Sequence, residues 1–543
     1  MSGRADSGTA HQHSLLPAEL QAEYRRRGDW EGVTLAQIVE QRAAEHPDRA
    51  AVVGPHPLTY GDLWEQARRV AGALEDGGLK PGEFVVSVMS NCVEGLVLEV
   101  AASITALIYA PRSAHLSPAE AINLFAQLDA RGLILQRSML ERDGWSEAFE
   151  QLRKRLQDRP VWIHGEMVDG LPTLAQAIES GRAIDPVEQE PGQPCLVLAT
   201  GGTTGMPKSV LHSSETLVYA ARNFGRAINY SADDVHVAIA PYGHAGGSVF
   251  EMYMPLLHGA AVLPIARWKP RDVAETIARY GGTFFIAMGT HVYDLLTLDP
   301  SAAPQLRSIR CIATGAGPQE IFVKCDEELM PVVRVYGLSE AVGHALGRLD
   351  DPASVRVLQD GVPFDGMDWR IVDTKTGDPV PPGTIGEYQC RGPNMFMGYY
   401  GQDDVTAKAL TDDGYYRTGD LMVLSDEGYV SWTGRTKDII RRGGLQIDPI
   451  EIEGMLSRHP QIETVAVVGQ PDMRLGERAV IVAVPASGER AELGELCAYL
   501  QREGLPKQSL PERLVYVDDL PRTGVGKVHR VRVKDMILEE MNT

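Results

Sequence analysis

Cysteine is scarce: there are six in 543 residues (Cys92, Cys195, Cys311, Cys325, Cys390 and Cys497), far apart and without any C-x-x-C pair. Such spacing builds neither a disulfide framework nor a zinc ribbon, so reduced and mostly buried thiols are expected. Positive charge is in deficit as well. Lys+Arg number 52 against 73 Asp+Glu, a net charge of -21. The long-range field of such a chain repels phosphate backbones and anionic headgroups, which argues against nucleic acid and membrane surfaces as partners. Uninterrupted apolar runs are also missing. The most apolar stretch, residues 84–110, is broken by Asn91, Glu94 and Glu99, and carboxylates there oppose a membrane span. The polar start, MSGRADSGTAHQHS, has no apolar segment of a secretory signal, so a cytoplasmic protein is expected. There is no internal repeat and no low-complexity tract, while 44% of the residues are hydrophobic, enough for large packed cores.

Strand-like apolar runs alternate with helix-like stretches from about Thr34 onward. Ala50–Val53, Phe84–Met89, Gly132–Leu135, Val161–His164, Leu196–Ala199, Val235–Ala240 and Thr283–Ala287 read as strands. Between the first two, Leu63, Ala67, Val70 and Leu74 repeat at helical spacing. That order predicts βαβ units, a mostly parallel sheet and a large multilayer α/β domain. Between Val355 and Tyr429, short β-like runs are separated by Gly, Pro and Asp, the pattern of a β subdomain. From Gly434 the order helix, strand, strand, helix, strand predicts a small α+β domain. The expected division is therefore 1–433 and 434–543, with a hinge near Thr433–Asp438.

The first segment with chemistry in it is Leu196-Val-Leu-Ala-Thr-Gly-Gly-Thr-Thr-Gly-Met-Pro-Lys208. A β-like run feeds a loop rich in glycine and threonine and ending in lysine, in which backbone N–H groups can face an anion. It is a phosphate cradle, but not a P-loop: Pro207 precedes Lys208 and the glycine spacing is wrong. Five further motifs follow: Tyr336-Gly-Leu-Ser-Glu340; Gly386-Glu387 with Arg391-Gly-Pro393 and Gly398-Tyr399; Tyr416-Arg-Thr-Gly-Asp420; Gly434-Arg-Thr-Lys-Asp438; and Pro521-Arg-Thr-Gly-Val-Gly-Lys527.

In this order and spacing the motifs resemble those of the adenylate-forming enzymes: acyl- and aryl-CoA synthetases, adenylation domains of nonribosomal peptide synthetases, and firefly luciferase. The resemblance covers nearly the whole chain. It implies an enzyme of the acid–thiol ligase type, which joins a carboxylate to the α-phosphate of ATP, releases pyrophosphate and passes the acyl group to the thiol of CoA or of a carrier protein's phosphopantetheine. Positioning and positive charge then carry the catalysis. The resemblance implies that Thr200, Gly202, Thr203, Thr204 and Lys208 hold the β- and γ-phosphates. Glu340, with Thr203, takes Mg²⁺, a hard cation that prefers oxygen ligands. Tyr336 stacks on adenine with Gly337 beside it, Thr314-Gly315 form the adenine shelf and another wall of the acid pocket, and Asp420 and Arg435 contact the ribose. Lys527 bridges the acid carboxylate and the α-phosphate, Asp438 is the hinge of a mobile C-terminal domain, and Gly443-Gly444 line a pantetheine tunnel.

The acid pocket is implied to include His244 as its gate, with Ala245, Gly246 and Ser339. The stretch Leu16 to Asp29 and the segment Arg348-Leu-Asp-Asp-Pro352 are similar to those of 2,3-dihydroxybenzoate–AMP ligases. Those enzymes carry His-Asn where this chain has His244-Ala245, so the amide that contacts an ortho hydroxyl is missing. A small, aromatic carboxylic acid is the expected substrate, with no preference for ortho-hydroxylated ones. The alternatives are a relative that activates nitrite to diazotise an arylamine and a non-catalytic nucleotide binder.

Overall fold

A computed structural model describes residues 16–199, 208–299, 304–315, 317, 319–442, 445–486, 490–522 and 527–542. They fall into two compact units, the first within residues 16–367 and 391–410, the second made of 368–390 and 411–542. The boundary expected at 433/434 lies inside the second unit, in the strand Val430–Arg435.

The first unit holds two sheets. The periodicity of a strand reports which faces are buried but not which neighbour it pairs with, so the apolar runs that predicted one mostly parallel sheet divide between two. In the seven-stranded sheet the order is Gly398–Tyr399, Ser209–Ser213, Pro194–Ala199, Ile108–Ser113, Phe84–Met89, Gly132–Gln136, Val161–His164. Its last five strands are parallel. Phe84–Met89 is buried along its whole length, as a strand covered by helices on both faces must be. The preceding helix, Tyr60–Asp76, starts at a capping box in which Thr59 and Asp62 exchange hydrogen bonds, and it buries Leu63, Ala67, Val70 and Leu74.

The nine-stranded sheet runs Val362–Pro363, Ala345–Leu346, Val332–Tyr336, Cys311–Thr314, Phe284–Ala287, Val235–Ala238, Ala261–Pro264, Ala50–Val52, Leu58–Thr59. It is parallel at its centre and antiparallel at its margins. Chain leaving the carboxyl ends of its strands Val235–Ala238, Cys311–Thr314 and Val332–Tyr336 carries His244, Ala245, Gly246, Gly315, Gly337, Ser339 and Glu340, the place where open α/β sheets bind ligands.

The second unit opens with the antiparallel sheet Asp368–Val372, Gly386–Arg391, Tyr416–Leu424, Val430–Arg435, the expected β subdomain. It continues with a five-stranded sheet built around the long hairpin Ile462–Asp472 and Gly476–Pro485. Helices Pro449–Leu456 and Leu493–Arg502 pack Ile452, Leu456, Leu496 and Leu500 on one side of that sheet. Helix Arg530–Asn542 sets Val533 and Ile537 against Ala466, Val468, Val480 and Val482 on the other. Among the described residues no helix is long and apolar enough to cross a membrane.

Candidate active site

In the first unit, Lys208 stands at the start of the strand Ser209–Ser213, and its ammonium lies 4.2 Å from the centre of the Tyr399 ring. Gly398–Tyr399 pairs antiparallel with that strand, which fixes the ring beside the lysine. The same tyrosine hydroxyl donates a 2.7 Å hydrogen bond to Oε1 of Glu340, a carboxylate only 9% exposed. Tyr399 thus joins the end of the phosphate motif to the proposed magnesium ligand.

His212, on the same strand as Lys208, donates from Nε2 to the Ser339 carbonyl at 2.7 Å. Burial pushes its pKa down to about 4, the hydrogen bond to Ser339 opposing this, so the ring is neutral at pH 7. The Ser339 hydroxyl in turn donates to the carbonyl of Ala199 at 3.3 Å. Residues 199 and 208 flank the phosphate motif on either side, and both are tied to the Ser339-Glu340 turn. Thr200, Gly202, Thr203 and Thr204 lie outside the described residues, as do Gly443-Gly444.

Thr314 and Tyr336 end neighbouring parallel strands whose register pairs Thr314 with Arg334, two residues before Tyr336. Thr314 is fully buried and its hydroxyl has no partner among the described residues. At Gly315 an added Cβ would lie 2.9 Å from the Val335 carbonyl, and at Gly337 one would lie 3.0 Å from the Gly343 nitrogen. Glycine is the residue that permits such close backbone approach. Tyr336 is 8% exposed, edge-on to His344.

The third group follows the strand Val235–Ala238. His244 Nδ1 accepts from the Gly246 N–H at 3.1 Å, which leaves the proton of the neutral ring on Nε2. Gly247 is required sterically, since a Cβ there would sit 2.4 Å from the Pro241 carbonyl. The loop's entry is held by Glu251, whose Oε1 accepts from the Ile239 and Ala240 N–H groups at 3.1 and 2.9 Å. Burial holds that carboxyl well above the usual carboxylate range, the two backbone hydrogen bonds opposing the shift. Asn91 donates to the carbonyls of Ala238 and Ala240 and accepts from the Tyr242 N–H. Ala245 and Gly246 contribute no polar side chain to this loop.

In the second unit, Asp420 and Arg435 face one another on paired strands. Arg435 Nε and the Trp432 indole N–H both donate to Asp420 Oδ1, at 2.7 and 3.2 Å. Lys527 shares this electrostatic neighbourhood. Although its surface is open to solvent, crowding around the ammonium lowers its pKa, the charge of Arg435 adds to that shift and Asp420 opposes it. The structure therefore brings together Asp420, Arg435 and Lys527, residues spread over a hundred positions. Asp438 sits beside Arg530 at 3.8 Å, and Arg530 is in turn bound in two places by Glu453. Nearby, burial raises Asp448 to about 6.

Several of these residues were not singled out for a role by the sequence: His212, Asn91, Glu251 and Gly247, with Tyr399 quoted only as part of a motif. The signal for Tyr399 was its place in Gly398-Tyr399; the others are marked only by what they touch.

Comparison with known proteins gives two family matches: AMP-binding enzyme over residues 39–400 and the AMP-binding enzyme C-terminal domain over 451–527. The chain is 31% identical over 550 residues to a salicyl-AMP ligase / salicyl-S-ArCP synthetase of Mycobacterium tuberculosis, covering 95% of this chain and 93% of that one. It is 29% identical over 535 residues to a medium-chain fatty-acid–CoA ligase of Escherichia coli, covering 96% and 94%. In fold it is similar to ATP-bound MatB from Rhodopseudomonas palustris, with a TM-score of 0.84 and 24% identity over 92% of this chain and 98% of that chain.

Proposed function

Because the chain belongs to the AMP-binding enzyme family, whose members use ATP to activate acids, we propose that it converts a small aromatic carboxylic acid to its acyl-adenylate and transfers the acyl group to the thiol of CoA or a carrier protein. The observation that carries this reading is the Lys208–Tyr399–Glu340 arrangement, which sets a cation and a carboxylate on one phenol at the exit of the phosphate motif. A carboxylate with one oxygen held by a phenol keeps the other for a hard cation, so Glu340 suits Mg²⁺. Bound there, Mg²⁺ would offset the charge of the phosphates. Lys208 holds the β- and γ-phosphates, Asp420 and Arg435 orient the ribose, and Lys527 places a point charge between the acid carboxylate and the α-phosphate. Attack on the α-phosphorus forms one P–O bond as the bond to pyrophosphate breaks. The portion 434–543 then turns about Asp438 to admit the thiol.

Both curated relatives named above act, by their names, on carboxylic acids, which does not favour the nitrite alternative. Ala245 and Gly246 supply no side-chain amide beside His244, so salicylate and 2,3-dihydroxybenzoate gain no specific hydrogen bond from those two positions. ATP–pyrophosphate exchange tests this with benzoate-, cinnamate- and medium aliphatic acids beside the two ortho-hydroxylated ones. Salicylate and 2,3-dihydroxybenzoate should be no better than the other acids, with a discrimination within about tenfold in kcat/KM, since one hydrogen bond of about 1 kcal/mol is at stake. Exchange with no carboxylic acid, together with AMP release from nitrite and an arylamine, would overturn the proposal.

A further inference from the structure

Cys92, Glu94 and His164 have no part in the roles described above, yet three ligand atoms from them, the thiol, a carboxylate oxygen and a ring nitrogen, all lie within 4.8 Å of one another. All three residues are half-buried. Their place in the fold is informative. The strand Phe84–Met89 is followed by Ile108–Ser113 on one side of it in the sheet, whereas Gly132–Gln136, its neighbour on the other side, is followed by Val161–His164 farther in that direction. The chain therefore departs in opposite directions from two adjacent parallel strands, and the crevice outside their carboxyl ends is where open α/β sheets take ligands. Cys92 and Glu94 lie just past the end of the first of these strands. His164 ends Val161–His164, the strand beyond Gly132–Gln136 and two over from Phe84–Met89, where it pairs with Gln136; the Gln136 side chain between them accepts from the Ser90 N–H at 2.8 Å.

The donor set selects among occupants. A thiolate, an imidazole and a carboxylate suit zinc and its borderline-soft neighbours, whereas Mg²⁺ and Ca²⁺ prefer oxygen alone. With bonds of about 2.0 to 2.3 Å, a tetrahedral ion spaces its ligands roughly 3.3 to 3.8 Å apart. The observed separations close to that range by a shift of about 1 Å or less, within reach of side chains that are not locked in a core. The backbone bearing the cysteine is already fixed: its carbonyl accepts from the Tyr242 hydroxyl at 3.2 Å, and Asn91 beside it is bonded on both faces of its amide. Three protein ligands leave a fourth position to water.

We propose that Cys92, Glu94 and His164 form a site for one zinc-class divalent cation, separate from the nucleotide and acid sites. On binding, the thiol proton passes to solvent as the sulfur–metal bond forms, and no oxidant or reductant is involved.

The test is Co²⁺ titration of the chelator-stripped full-length chain. One equivalent should bind with a near-ultraviolet sulfur-to-cobalt charge-transfer band. Zn²⁺ should bleach the band and a hundredfold excess of Mg²⁺ should not. Cys92→Ser should abolish the band, and His164→Gln should weaken Co²⁺ binding at least tenfold. Cys497→Ser, in the other unit, should leave both unchanged. If Cys92→Ser fails to fold by circular dichroism, His164→Gln, a substitution at a half-exposed strand end, decides alone. Absence of any charge-transfer band, its persistence in Cys92→Ser, or wild-type affinity in His164→Gln overturns the site.

Discussion

Replacing Tyr399 by phenylalanine removes one oxygen atom from the Lys208–Tyr399–Glu340 arrangement and nothing else. The ring stays, so the platform beneath the Lys208 ammonium, 4.2 Å from its centre, is kept. What is lost is the 2.7 Å hydrogen bond to Glu340. A neutral hydroxyl donating to a carboxylate is worth about 1.5 to 3 kcal/mol, more than a bond between neutral groups. Glu340 is 9% exposed, so water recovers little of that. If the bond served only the fold, the variant would unfold more easily and catalyse normally. If it aims the carboxylate at the metal–phosphate complex, the loss falls on the transition state, where charge on the phosphates is developing. About 1.5 to 3 kcal/mol corresponds to a ten- to hundredfold fall in kcat/KM for ATP. The half-saturating Mg²⁺ concentration should rise in parallel. Pyrophosphate exchange across a Mg²⁺ series reads both. Activity within twofold of wild type with an unshifted Mg²⁺ curve would refute the reasoning, whatever happened to stability.

Three other outcomes are expected. Lys527→Ala should abolish adenylate formation while largely sparing thioester formation from supplied acyl-adenylate; undiminished pyrophosphate release would remove Lys527 from its assigned role. Gly247→Ala forces a Cβ to within 2.4 Å of the Pro241 carbonyl, an overpacking worth about 1 to 3 kcal/mol, and should raise the KM of the acid about tenfold with that of ATP changed less than twofold in steady-state assays. Asp448 is raised from 3.8 in the unfolded chain to about 6 in the folded one, through burial and the charges of Glu451 and Glu453 against Arg530, so its contribution to stability is fully present below about pH 4 and lost as pH rises through 6. Asp448→Asn keeps the cap on Ile450 and should stabilise helix Pro449–Leu456 above pH 6 while flattening its pH profile, read by hydrogen exchange; a profile as steep as wild type would contradict this.

The parts of the fold that announce themselves in the sequence are those whose signal is local. Phe84–Met89 is an apolar run because both its faces are covered, and Tyr60–Asp76 shows its period because one face is buried. The division of those strands into two sheets is a matter of pairing between distant segments, and local periodicity is silent about it. The site shows the same contrast. Lys208, Glu340, Asp420 and Lys527 stand in ordered motifs and could be named. His212 could not, since its one informative property is a bond to a carbonyl 127 residues away. Glu251 looks like any helical carboxylate until the fold buries it against two backbone N–H groups. The cysteine spacing argued against metal because it was judged along the chain, whereas His164 meets Cys92 only once the strands are laid side by side.

Asp420 gives one of its oxygens to two donors at once, and one of them is an indole. The protein has seven tryptophans, of which Trp30, Trp145 and Trp162 are buried while Trp432 is 37% exposed. An indole N–H bonded to a carboxylate at the polar edge of a sheet emits light that depends on that bond. A ligand hydroxyl that bonds Oδ1 of Asp420 competes with Trp432 for that oxygen. Under the proposed ribose role of Asp420, the molecule would carry its own optical gauge of nucleotide engagement: the emission of a single residue, isolated by comparison with Trp432→Phe, would report on the aspartate without any added label.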